Sequence, residues 1–174
     1  LNAVIPVLET YHDVKMIFVG DGPELKNLMK KVTELKMLQR FVFTGFVNWQ
    51  LVFQLYSVAD IFVTASLSEV HPMTLIEACM CSLAAVVRKD DSVLDMVLDY
   101  QNGFAVENDE QMTERLKFIL KNPEHLKKYK ENSLLISQGF TAEHHVSKVE
   151  AFYKKVIELY PDRLALLHDH ALHV

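Results

Sequence analysis

The sequence predicts a Rossmann-like three-layer α/β/α sandwich on a parallel sheet, followed by a helical tail. Three observations carry this. Over residues 3–106, short apolar runs of strand length alternate with stretches whose apolar residues recur every three or four positions. The short runs are too uniformly apolar to alternate face by face, as befits strands covered on both sides. Beyond Glu107 only the helical period remains.

Taken in order, Val4, Ile5, Val7 and Leu8 predict a helix within residues 3–12. The run VKMIFV at 14–19 is a strand that ends at the turn Gly20-Asp21-Gly22-Pro23. Pro23 suits the first position of the next helix, where its missing N–H costs nothing. Leu25, Leu28, Met29, Val32 and Leu35 then keep the helical spacing, with lysines between them. RFVFT at 40–44 is the second strand, closed by Gly45, and residues 51–59 are helical. DIFVTA at 60–65 is the third strand, followed by a helix at 73–81 and a fourth strand at 84–87. The turn Asn102-Gly103 opens a fifth strand at 103–106. Three helices follow at 110–120, 123–137 and 141–159, with Pro123 and Thr141 as start signals for the last two. A single Rossmann-like domain is expected over residues 1–160, with a tail at 161–174.

Composition narrows the class. The chain has 174 residues, of which 50% are hydrophobic and 24% charged, so it holds enough apolar residues for a substantial core. No apolar run approaches the roughly 18 to 20 residues of a membrane-spanning helix. Lys and Arg total 18 against 23 Asp and Glu, a net charge of −5, which argues against a nucleic-acid binder. Cys79 and Cys81 flank Met80 in an apolar segment. They form neither a disulfide framework nor a CxxC metal pair, suit core packing, and fit a reducing cytoplasmic setting. The start Leu1-Asn2-Ala3 has no Met, charged region or cleavage site. It reads as a cut inside a longer protein rather than a signal peptide.

The chemistry concentrates in Ser66-Leu67-Ser68-Glu69-Val70-His71-Pro72-Met73-Thr74-Leu75-Ile76-Glu77-Ala78. A strand runs into a loop holding Glu69, and Pro72 opens a helix that carries Glu77 on its second turn. In an open α/β sheet, ligands collect at the carboxyl ends of strands, beside the following helix N-termini. The N–H groups of Met73 and Thr74 then face the crevice and favour an anion such as phosphate. A carboxylate beside a phosphate is repelled unless it binds hydroxyls. Two carboxylates flanking an anion hole therefore suit a nucleotide sugar, with ribose and hexose on either side of a diphosphate.

These residues resemble the C-terminal, donor-binding domain of a GT-B glycosyltransferase of family 4, the glycosyl transferases group 1. Glu69 and Glu77 keep that family's Glu-x7-Glu spacing. The likeness extends through VGDGPELKNL (19–28), FTGFV (43–47), SVADIFVTASLSE (57–69) and the turn at Gly103. The resemblance implies a retaining, metal-independent hexosyltransferase with a nucleotide-sugar donor, named here as UDP-glucose, and a lipid, polysaccharide or small-molecule acceptor. It implies that Glu69 accepts hydrogen bonds from the donor hexose and is the catalytic candidate, that Glu77 holds the ribose, and that Met73 and Thr74 bind the diphosphate. Phe46 and Val47 are its base-contact candidates. His71, at a variable family position, and Pro72 complete the loop set.

Gly22 allows close backbone approach, so a phosphate contact stands beside its plain role in a turn. The departures are Ser82 and Ala84, where the family has Gly and Pro, and the strand and cationic loop that the family places before the first helix. The resemblance further implies an N-terminal acceptor-binding half, in the same protein or a partner chain, and an isolated 174-residue chain that binds nucleoside diphosphate weakly without transferring sugar.

Several features have plainer readings. Glu69 and Glu77 are also consistent with surface charges. Lys117, Lys121, Lys127, Lys128 and Lys130 suit a solvated face, and the resemblance adds peripheral contact with the inner face of a membrane. His168, His170 and His173 suit a terminal tail more than a metal tract, and His144-His145 a cap or solvated face. Phe152, Tyr153, Val156, Ile157 and Tyr160 form a helical stripe that suits an interface with the first half of a GT-B fold. Two other functions fit: a non-catalytic nucleotide-sugar-binding or partner module, and a GT-B-like sugar-nucleotide epimerase.

Overall fold

The computed structural model describes residues 1–67 and 72–160. They fall into two compact units, Leu1–Ile136 and a second that begins at Ser137. The first unit runs α1 (Ile5–Thr10), β1 (Met16–Phe18), α2 (Leu25–Glu34), β2 (Phe41–Phe43), α3 (Trp49–Ser57), β3 (Ile61–Thr64), α4 (Met73–Met80), β4 (Ala84–Arg88), β5 (Gly103–Val106) and α5 (Asp109–Lys121). It closes on α6 (Pro123–Ser137).

Each predicted strand is present and parallel. They pair in two groups, β1 with β2 and β3-β4-β5 with β4 central, rather than in one ladder. Among the described residues β1 and β3 share no ladder hydrogen bonds, yet Met16, Phe18, Ile61 and Val63 pack against one core.

That core is organised by β4, whose Ala84, Ala85, Val86 and Val87 are all completely buried. Side chains alternate across a strand. Ala84 and Val86 join Val4 just before α1, Val7 and Leu8 of α1, Phe104 and Val106 of β5, and Met112, Leu116 and Ile119 of α5. Ala85 and Val87 face the other side, where α4 packs on β4 with Leu75, Ile76, Ala78 and Cys79 buried. Burying Leu75 and Ile76 contributes about 1.5–3 kcal/mol each. The three predicted layers follow. Cys79 belongs to this packing: burial pushes its thiol up to about 11, against a smaller opposite pull from Ser133.

Local signals explain the boundaries. α2 starts at Leu25 rather than Pro23, because a turn intervenes. Asp21 Oδ1 accepts from Gly22 N at 2.7 Å, and Leu25 N donates to Gly22 O at 3.1 Å. α3 starts two residues earlier than predicted, since Asn48 Oδ1 accepts from Gln50 N at 3.0 Å and caps it. The guanidinium of Arg40 donates to the carbonyls of Leu8 at 3.2 Å and Tyr11 at 2.6 Å, tying the end of α1 to the start of β2. Asn102, fully buried, accepts from Leu98 N and donates to Met96 O, each at 2.8 Å, and so shapes the turn into β5.

The second unit holds a turn at Gln138–Phe140 and α7 (Ala142–Leu159). Thr141 caps α7, its Oγ1 accepting from His144 N at 3.3 Å. Phe152, Tyr153, Ile157 and Tyr160 of the predicted stripe are exposed. The expected tail at 161–174, with His168, His170 and His173, lies outside the described residues.

α4 ends as the departure at Ser82 implied. Ser82 N donates to Cys79 O and Leu83 N to Ala78 O, both at 3.0 Å, with Ser82 left-handed at φ 60. Only glycine adopts this conformation without strain. We expect Ser82→Gly to raise unfolding stability by about 1 kcal/mol in urea titration. Gly103 makes the opposite case: a Cβ there would sit 1.8 Å from Ala85 O, at the first pair of the β4–β5 ladder. Gly103→Ala should cost about 3 kcal/mol in the same assay, the upper end of overpacking penalties.

Candidate functional site

The site is built on α4, at the carboxyl end of β3. Pro72 is buried and extended at φ −75, ψ 90, and makes no side-chain cap. The first bonds to its carbonyl come from Leu75 N at 3.0 Å and Ile76 N at 3.2 Å. Met73 and Thr74 therefore start the helix ahead of its first intrahelical donors, at the positive end of the helix dipole. The helical period puts Met73, Thr74 and Glu77 together, on the side opposite the buried Leu75, Ile76, Ala78 and Cys79. Met73 and Thr74 are exposed and Glu77 is half-buried. Three of the expected donor-binding residues thus share one exposed helix face. Glu69 and His71 lie outside the described residues, so only the Glu77 side of the expected pair is in view.

A residue that sequence reasoning missed completes this face. The hydroxyl of Tyr56, near the end of α3, lies 3.2 Å from Thr74 O and 3.3 Å from Glu77 Oε2. Its ring packs against Phe53 at 6.3 Å and Phe62 at 6.5 Å between centroids. Burial, reinforced by the Glu77 charge, holds the phenol far above its ordinary pKa, so it stays protonated and able to donate. Its position immediately before the SVAD segment was the one available signal.

The other candidates sit on the loops after β1 and β2, which are tied together by Gly20 N donating to Gly45 O at 3.0 Å. Gly45 is left-handed at φ 65, and beyond it Phe46 is 82% exposed while Val47 is half-buried. Such exposure of a phenylalanine leaves its ring free to meet a ligand. Gly22 is exposed, with nothing within 4 Å of a built Cβ, so packing does not require glycine there. Among the described residues no hydrogen bond joins Phe46, Val47 or Gly22 to α4. A groove of about 450 Å³ lies beyond the opposite end of α4, lined by Ser82, Pro123, Leu126, Lys127, Lys130 and Leu134 among others.

The remaining features take modest roles. Lys130 Nζ pairs with Asp60 Oδ1 at 2.7 Å, which ties one member of the basic cluster to the protein itself. His144 and His145 are exposed in the first turn of α7. Among the described residues no group of three His, Cys, Asp or Glu side chains gathers as a metal site, and no helix is long and apolar enough to cross a membrane.

Comparison with known proteins agrees with this architecture. The chain is 30% identical over 159 residues to the alpha-monoglucosyldiacylglycerol synthase of Acholeplasma laidlawii, covering 91% of this chain and 40% of that protein. It thus spans less than half the length of that relative. Its fold matches the pneumococcal O-GlcNAc transferase GtfA, solved with UDP and GlcNAc, at a TM-score of 0.76 and 20% identity, over 90% of this chain and 32% of the other. It matches Anabaena HepE, solved with UDP and glucose, at 0.75 and 20%, over 88% of this chain and 44% of the other. Residues 1–134 match the family described as glycosyl transferases group 1, and with most of its length inside that match the chain belongs to this family.

Proposed function

We propose that this chain is the donor-binding half of a retaining hexosyltransferase that uses a nucleotide sugar, UDP-glucose by preference, and a diacylglycerol-type lipid as acceptor. The observation that carries the proposal is the exposed α4 face, where the Met73 and Thr74 amides, without a hydrogen bond among the described residues, stand one turn from the Glu77 carboxylate. The name of the Acholeplasma relative supports the lipid acceptor and glucose, and UDP in the two similar structures supports the base.

In this mechanism the amides of Met73 and Thr74 stabilise the diphosphate as it leaves, a preorganised electrostatic contribution that requires no metal. The C1–O bond to the diphosphate breaks through an oxocarbenium-like state, and the acceptor hydroxyl oxygen bonds C1 on the same face. Its proton passes to the departing phosphate. Glu77 accepts the ribose hydroxyls, Phe46 and Val47 border the base, and Gly22 lies by the phosphates. Glu69, with His71 and Pro72 beside it, holds the hexose. An acceptor-binding half in the same protein or in a partner supplies the lipid, which requires peripheral contact with a membrane.

Calorimetric titration of UDP-, GDP- and ADP-sugars into the full-length protein and its Glu77→Ala variant tests this. Loss of hydrogen bonds to a carboxylate should weaken every nucleotide by about ten- to a hundredfold. Unchanged affinity removes Glu77 from the site. Labelled glucose should pass from UDP-glucose to diacylglycerol, and its retention in the water-soluble fraction would refute the lipid acceptor.

A further inference from the structure

We infer that Tyr56 is a positioning residue, which fixes the Glu77 carboxylate so that its second oxygen faces the ribose. This rests on the donor-binding reading above and assigns a part to a residue outside the loop and helix that carry it.

The geometry is specific. Thr74 and Glu77 lie one turn apart on α4, and the single Tyr56 hydroxyl proton is shared between the Thr74 carbonyl at 3.2 Å and Glu77 Oε2 at 3.3 Å. The phenol therefore registers the carboxylate against the backbone of the turn whose amides precede it. Among the described residues Oε1 of Glu77 takes no hydrogen bond, which leaves it for a ligand. Glutamate loses much rotamer freedom when a ligand orders it. A donor already on Oε2 lowers that loss before binding, which is how preorganisation raises affinity. Tyr56 itself is held by Phe53 and Phe62, the latter on β3, so the carboxylate is referenced to the sheet.

Tyr56→Phe keeps the ring and removes the donor. The nucleoside diphosphate that the full-length protein binds most tightly, and its 2′,3′-dideoxy counterpart, are titrated into wild type, Tyr56→Phe, Glu77→Ala and the double variant. The expected result is a loss of about three- to tenfold for the ribose compound in Tyr56→Phe. The dideoxy compound should bind Tyr56→Phe as it binds wild type, and Tyr56→Phe should add no further loss in the Glu77→Ala background. Equal weakening of both compounds, or additive losses in the double variant, would overturn the positioning role, and a selective ribose loss in Glu77→Ala would leave the donor-binding reading intact. A Glu77→Ala variant that binds both compounds like wild type would overturn the two together.

Discussion

Complete burial of the first four residues of β4, on both faces, constrains everything around it. The stretch Ala84-Ala85-Val86-Val87, all of β4 before Arg88, offers no polar side, so each face needs its own cover of helices. α1 and α5 supply one, around Ala84 and Val86, and α4 supplies the other. The same requirement orients the candidate site. With Leu75, Ile76, Ala78 and Cys79 committed to the sheet, the helical period leaves Met73, Thr74 and Glu77 no choice but the outward face. Bare Gly103 has its own part here, since a Cβ at that position would run into the backbone of Ala85 on β4.

What sequence made legible was what neighbouring residues decide. The bounds of β5 and α6 match the predicted 103–106 and 123–137, because Asn102-Gly103 and Pro123 mark them locally. Thr141 caps α7, and Ser82 takes the left-handed position, for the same reason. Met73, Thr74 and Glu77 were readable as a group because a strand, a loop and a proline place a helix start with little freedom. Pro23 misled, since proline serves a turn as well as a helix start, and Asp21 stabilises the turn.

Contacts between distant residues were not legible. The division of the strands into two paired groups depends on which edges meet, and apolar runs of similar length carry no such label. Arg40 reaches carbonyls 29 and 32 residues away, and nothing beside it predicts that. Tyr56 meets Glu77 across 21 residues, and a tyrosine on an apolar helix reads first as packing. The residues that hold a site together were thus harder to see than those that present it.

Electrostatics gives the arrangement on α4 its chemical sense. A helix start favours an anion by about 0.3–2 kcal/mol. A carboxylate three residues further lies about 4.5 Å along the axis. Two unit charges about 7 Å apart repel by about 0.6 kcal/mol in water and about 2.4 kcal/mol at an effective dielectric of 20. Glu77 therefore cancels much of what the helix start offers a bare phosphate, and for a simple anion site it would be a poor neighbour. For a ligand that carries hydroxyls beside its phosphate the balance reverses, since hydrogen bonds to a charged group contribute about 1.5–3 kcal/mol each. A protonated Tyr56 beside Oε2 steadies that carboxylate without adding charge. On this balance the α4 face suits the proposed ligand, an anion with hydroxyls on one flank, better than a bare anion.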